Sequence, residues 1–201
     1  DNKLTIVPEE GVIHITEQQI IVNLNDVSKV YNGEPLAYNP QEITCSRVGD
    51  DVDYDSYEGD FWIESLPEGC DSVTISLVAE ITDVGVFDID ELKNNSTCKA
   101  YSNGVDVTEN FYFEFKTDEY GLCVKEREIT VVAGDAEKFY DGEPLEAPDP
   151  WLFTADLVAG DTLKTMKRAS LTEVGRIEND TEVIVVDANG VQNTNYRIVY
   201  K

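Results

Sequence analysis

Apolar residues are gathered in short runs along this chain rather than in long stripes. Ile20 to Leu24, Val73 to Ile81, Phe111 to Phe115, Glu128 to Val132, Val183 to Val186 and Tyr196 to Tyr200 are rich in β-branched and aromatic residues, which suit a pleated, half-buried surface. Alternation is clearest in Phe111-Tyr112-Phe113-Glu114-Phe115. No segment of about ten or more residues carries an apolar face at helical spacing. Val84 to Lys93 comes nearest, and Gly85 with its β-branched neighbours argues against a helix there. The pattern predicts an all-β protein with little helix.

The runs recur in order. Ser28-Lys29-Val30-Tyr31-Asn32-Gly33-Glu34-Pro35-Leu36 returns as Glu137-Lys138-Phe139-Tyr140-Asp141-Gly142-Glu143-Pro144-Leu145. Downstream, Leu66 to Gly69 answers to Leu157 to Gly160, and Ile81-Thr82-Asp83-Val84-Gly85 to Leu171-Thr172-Glu173-Val174-Gly175. Asn103-Gly104-Val105 with Asn110-Phe111 then matches Asn189-Gly190-Val191 with Asn195-Tyr196. Self-similarity of this kind marks tandem modules. Asn32-Gly33, Asp141-Gly142, Asn103-Gly104 and Asn189-Gly190 suit tight hairpin turns, with strands expected on either side.

The offset between copies falls from 109 (Gly33 to Gly142) to 91 (Leu66 to Leu157), so 18 extra residues lie between Leu36 and Leu66 of the first copy. It falls again from 90 (Gly85 to Gly175) to 86 (Gly104 to Gly190), adding 4 more. Cys45, Cys70, Cys98 and Cys123 all belong to the first copy, with no CxxC pair and a single histidine, His14. This disfavours zinc and points to disulfides that staple enlarged loops, and hence to an oxidising compartment. The four allow three pairings, of which Cys45 with Cys70 and Cys98 with Cys123 are the local ones; each bridge would stabilise by roughly 3–4 kcal/mol. Buried thiols are the alternative.

The expected organisation is an N-terminal stretch over 1–17, a first module over 18–125 with an insertion at 37–65, and a second module over 126–201. Gly121 to Val124 reads as a closing strand of the first copy, and the second copy stops before an equivalent. Lys3 to Ile6 resembles such a strand with no module before it, which suggests a piece of a longer array; an N-terminal extension packed on the first module is the other reading.

Composition narrows the function. Hydrophobic residues form 41% of the 201 and charged residues 28%, which is globular composition. Acidic residues outnumber basic ones 41 to 15, for a net charge of −26 spread along the chain. Nucleic acid and anionic membrane surfaces are therefore poor partners. No apolar run approaches the roughly 18 residues of a membrane span, and no basic region leads into an apolar one as in a signal peptide.

The pattern Lys-x-Tyr-Asp/Asn-Gly-x-Pro-Leu, then Leu-x-x-Gly-Asp, Asp/Glu-Val-Gly, and Asp-x-Asn-Gly-x-x-x-Thr-x-Asn-Tyr resembles the bacterial Ig-like repeats of the MBG type. The resemblance covers 18–201 and is cleaner in the second copy, through Gly160-Asp161, Val174-Gly175 and Asp187 to Tyr196; Cys70 interrupts the Gly-Asp step in the first. It implies two tandem Ig-like β-sandwich modules, or β-grasp-like ones, in a secreted or wall-anchored protein of Gram-positive bacteria. It implies neighbouring repeats as partners and no catalytic residues.

Other candidate chemistry is sparse. Asp51, Asp53 and Asp55 imitate the start of a calcium loop, but Ser56 and Trp62 stand where an EF-hand needs Gly and Glu. Tyr54, Tyr57 and Trp62 could stack on a sugar or contact a protein, as could Trp151. Lys29 and Lys138, with Asn110 and Asn195, recur in a way compatible with Lys–Asn cross-links, or with plain turn capping. His14 has no evident nucleophile partner, so triad hydrolysis is not expected. The expectation is a non-enzymatic structural or adhesive repeat outside a bacterial cell, with no cofactor. The alternative is a carbohydrate- or protein-binding module, for a host or matrix ligand, with its site in the first-module insertion.

Overall fold

The computed structural model describes residues 13–38, 42–54, 59–154 and 157–201. The fold is all-β and β-sandwich-like, with one short α-helix and a single 3-10 turn at Thr108–Asn110 among the described residues.

The first repeat unit runs through β1 (Gln18–Leu24), β2 (Val27–Val30), β3 (Leu36–Ala37), β4 (Ile43–Val48), β5 (Asp51–Tyr54), β6 (Phe61–Trp62), β7 (Ser72–Ser76), β8 (Glu80–Ile81), β9 (Gly85–Val86), α1 (Ile89–Asn95), β10 (Thr97–Ser102), β11 (Val105–Asp106), β12 (Phe111–Thr117) and β13 (Leu122–Lys125). Its first strand lies parallel to β12, from Gln18 opposite Phe111 to Leu24 opposite Thr117, and antiparallel to β6. Ile20, Val22 and Leu24 share one face of β1 and are buried. The second sheet, in the order β11-β10-β7-β4-β5, turns Cys45, Val73, Ile75 and Ala100 into the same core. Each inward Val or Ile leaves water at a gain of about 1.5–3 kcal/mol. The run from Val73 to Ile81 is not one strand: it breaks after Ser76, and Leu77 and Ala79 stay buried as the chain crosses to β8.

The described residues of the first-unit insertion form strands rather than an enlarged loop. β4 and β5 make a hairpin, and β4 pairs with β7, placing Thr44 opposite Thr74 and Cys45 opposite Val73. The insertion therefore widens the sheet and covers an edge of β7. The second enlargement holds α1, whose N-cap Asp88 accepts from the Asp90 amide at 2.8 Å and whose Leu92 enters the core. This corrects the reading that Gly85 and its neighbours argue against a helix between Val84 and Lys93: Gly85 and Val86 are taken into β9 against β13, and the helix forms after them.

β14 (Arg127–Val132), β15 (Leu145–Glu146), β16 (Trp151–Thr154), β17 (Thr162–Lys167), β18 (Ser170–Leu171), β19 (Glu182–Val186) and β20 (Tyr196–Tyr200) repeat the same pairings. β14 is parallel to β20 and antiparallel to β16, as β1 is to β12 and β6. Leu145 lies opposite Leu171 as Leu36 lies opposite Ile81. β17 pairs with β19 alone, so its other edge is uncovered among the described residues, and the exposed Lys164 and Lys167 guard it.

One sheet of the first unit has no counterpart among the described residues of the second. β13 lies between β2, to which it is parallel, and β9. In the second unit the stretches matching β2 and β9 lie outside the strands.

Of the four tight turns expected from Asn-Gly and Asp-Gly pairs, only Asn103-Gly104 joins two paired strands directly. Its φ angles are +50° and +76°, and it sets Ser102 opposite Val105, as a type I′ hairpin requires. The pairs at Asn32 and Asp141 instead carry the chain between sheets. Each is clasped by its own lysine: Lys29 Nζ donates to Asn32 Oδ1 at 2.8 Å, and Lys138 Nζ to Asp141 Oδ1 at 2.6 Å.

Candidate functional site

The cysteines are thiols, which corrects the disulfide expectation for Cys45, Cys70, Cys98 and Cys123: no two stand at disulfide distance. The sheets explain why. Cys45 on β4 points into the core beside Val73, whereas Cys70 sits in the turn before β7 and its Sγ donates to the Ser72 carbonyl at 3.4 Å. Cys98 faces Ile75 in the five-stranded sheet, while Cys123 lies opposite Ser28 in the separate β2-β13-β9 sheet. Burial pushes the Cys98 thiol up to about 12 and raises that of Cys70. The cysteine-based argument for an oxidising compartment falls with the bridges.

Asp51 and Asp53 occupy alternate positions of β5, on a regular antiparallel hairpin. That puts them on one strand face about 7 Å apart, a geometry unlike a loop wrapped around an ion. Asp55 and Tyr57 lie outside the described residues, as does the side chain of Tyr54. Among the described residues no three His, Cys, Asp or Glu side chains gather as a metal site. A shallow pocket beside β1, lined by Gln19, Ile21, Glu64, Ser65 and Pro67, holds about 120 Å³, well short of the roughly 300 Å³ at which ligand clefts begin.

Trp62 is half-exposed at the end of β6 and pairs with Asn23. Trp151 is half-exposed on β16 and pairs with Val132. Asn23 and Val132 hold the same place in β1 and β14, so the two tryptophans are structural equivalents. The sequence comparison missed this because Trp62 falls inside the stretch 37–65 that the offsets assign to the insertion, so no counterpart is sought for it. Trp151 packs over bare backbone: a Cβ on Gly134 would sit 2.9 Å from its ring.

The most fully built constellation is the junction between the units. Asn195, immediately before β20, is buried. Its Oδ1 accepts the Val84 amide at 2.7 Å and its Nδ2 donates to Asp83 Oδ1 at 2.8 Å, so one side chain of the second unit clamps a loop of the first. Next to it the ring of Tyr196 meets that of Tyr31 edge-on, with centroids 5.5 Å apart. The Tyr196 hydroxyl donates to Asp161 Oδ2 at 2.6 Å and accepts the Val158 amide at 2.8 Å. Asn193 Nδ2 donates both to the Tyr31 hydroxyl, at 3.2 Å, and to Asp161 Oδ2, at 3.0 Å. Burial, and then the bond to Asp161, push the Tyr196 hydroxyl well above its ordinary range. Tyr31 and Val124 of the first unit lie in one apolar cluster with Ile129, Val131, Val183, Val185 and Tyr196 of the second, and Leu36, Ile81 and Val84 pack against it.

The lead into this junction is also fixed. Asp26, just ahead of β2, accepts the amides of Gly121 at 2.7 Å, Tyr120 at 3.1 Å and Glu119 at 3.0 Å. Burial works to raise its carboxyl, and the three amides together outweigh that and hold it below the usual range. This anchor sets the loop from which β13 departs. Tyr31, Asp83, Val84 and Asn195 were visible in the sequence as recurring positions. The Lys–Asn reading of the recurrence does not match the contacts described: the lysines clasp their own turns, and Asn195 holds Asp83 and Val84.

No protein family matches this chain, and neither a curated protein nor a solved structure is similar to it.

Proposed function

We propose that the chain is a non-enzymatic structural or adhesive repeat stretch of a secreted or cell-surface bacterial protein, built from Ig-like or β-grasp-like units stacked in a stiff line. One observation carries this reading: the apolar cluster at Tyr31 and Tyr196 runs through both units, and Asn195 bolts them together by side-chain hydrogen bonds. A spacer needs that continuity, since units joined only by a flexible linker would not hold their relative direction. The dispersed charge of −26 keeps such a surface hydrated and away from other acidic surfaces. Backbone ¹⁵N relaxation on the chain tests it. Equal rotational correlation times for the two units are expected, and a second unit tumbling faster than the first would overturn the stiff line.

A second reading is favoured by the two half-exposed tryptophans at equivalent edge positions. Flat aromatic faces of this kind stack on sugars or anchor protein contacts, and Trp62 lies within the insertion at 37–65. Screening against glycans, mucins and matrix proteins decides it: binding that is lost in Trp62→Ala or Trp151→Ala, with the thermal midpoint unchanged, would make this a binding module.

A further inference from the structure

The two ends of the repeat are treated differently. In the first unit, β13 fills the gap between β2 and β9, Leu122 and Val124 face inward, and β13 touches β3 and β8. Tyr31 is then covered by Tyr196 and falls to 7% exposure. Every part of that receiving surface recurs in the second unit. Asp135 stands where Asp26 does, Ala136 to Phe139 where β2 does, and Tyr140 where Tyr31 does. The Leu145–Leu171 pair, Glu173, Val174 and Gly175 repeat Leu36–Ile81, Asp83, Val84 and Gly85. The turn between them is already set. Lys138 and the Glu143 amide bind Asp141 Oδ1 at 2.6 and 3.0 Å, as Lys29 and the Glu34 amide bind Asn32 Oδ1 at 2.8 and 3.1 Å.

Nothing among the described residues fills this copy. Phe139 is 97% exposed, Tyr140 63% and Val174 86%. Residues 133–144 lie outside the strands, and Asp135 is exposed. An aromatic pair beside unladdered backbone is costly on an otherwise acidic surface and marks an interaction site.

We propose that this end is a strand-addition socket whose occupant is another unit of the same kind, led in by a strand with the pattern of β13. The strand enters parallel to Ala136–Phe139 and antiparallel to Gly175–Arg176, its first and third residues facing Leu145 and Leu171. Asp135 accepts the amides of the loop before it. An Asn-Tyr pair like Asn195-Tyr196 then clamps Glu173 and Val174 and covers Tyr140. The occupant carries a cation just after its strand, as Arg127 donates to the Tyr31 carbonyl at 3.4 Å. A second copy of this chain does not meet the description through its own β13, which is already paired on both sides. Backbone pairing supplies affinity in such additions, and the alternate side chains supply selectivity.

This inference deepens the stacked-line reading and rests on it. The test is a chain extended after Lys201 by a copy of residues 117–201, which continues β20 in the register of β12. Hydrogen exchange at 136–139 and 173–175 is expected to slow at least tenfold relative to the unextended chain, and the thermal midpoint of the second unit to rise. Leu122→Asp with Val124→Asp in the appended copy alone should abolish both effects. If the appended unit folds but 136–139 exchange as before, the socket is refuted. Should the first junction still tumble as one body in that case, the stacked-line reading stands without it. Concentration-dependent sedimentation of the unextended chain, with 136–139 protected in the dimer, would instead assign the face to self-association and overturn the choice of occupant.

Discussion

Gly33 and Val158 meet across the junction so closely that a Cβ on Gly33 would sit 2.5 Å from Val158 Cγ1. The glycine also holds φ at +80°. Gly33→Ala therefore meets two obstacles. The left-handed backbone costs about 1–2 kcal/mol, and the overlap with a stiff β-branched side chain adds about 1–3 kcal/mol. Gly142, its counterpart, holds φ at +85° with open space around it, so Gly142→Ala should show only the first cost. Urea denaturation of the two variants, side by side, measures the difference.

Asn195→Ala removes both halves of the clamp at once. The Val84 amide and the Asp83 carboxylate lose their partner in a part-buried site, at a cost of about 1–3 kcal/mol. The expected outcome in calorimetry is a split of one unfolding transition into two, the units melting separately. Asn110, which holds the same place before β12, is exposed, and Asn110→Ala should leave a single transition near its original midpoint.

Much of this architecture is legible in the sequence. The strands at Ile20, Phe111, Glu128, Val183 and Tyr196 follow from alternation and β-branching, because burial of one sheet face imposes a period of two. The repeat was legible because both copies need the same positive-φ turn at Gly33 and Gly142 and the same strand pair, Leu36 with Ile81 and Leu145 with Leu171. What it could not show was which copies are in use: Tyr31 and Tyr140 read alike, and only tertiary contact distinguishes a covered ring from an open one. The insertion was misread for a related reason. Ile43 to Val48 is polar enough to pass for a loop, yet it is a strand because β7 offers it an edge. Cysteine count is equally blind to sheet membership, which keeps Cys98 and Cys123 apart.

Asp26 makes the lead into β13 sensitive to acid. Its folded carboxyl lies below the ordinary 3.8, so between the two values the unfolded chain binds the proton and the folded chain does not. The contribution is fully present above about pH 4 and is lost as pH falls through the folded value. Asp26→Asn should be less stable than the parent at pH 7 and show a flatter decline as pH falls below about 4. A parallel decline in both proteins would remove Asp26 from this role.

The thiols give a mass test. Denatured, unreduced protein treated with iodoacetamide should take up four adducts, one for each cysteine in the sequence. In the folded protein, Cys98 should label far more slowly at pH 8, because burial pushes its thiol up to about 12 and the thiolate is the nucleophile. Fewer than four adducts after denaturation without reductant would restore a disulfide.

The parallel pairing of first and last strands bears on how the chain meets tension. In β1 with β12, and again in β14 with β20, the chain enters at one end of the pair and leaves at the other. A pull along the molecule therefore loads the rungs between Gln18–Phe111 and Leu24–Thr117 together, sideways, rather than peeling them one after another. Shear of that kind lets a short ladder resist as a block, and each unit becomes a link that holds until the whole pair slides.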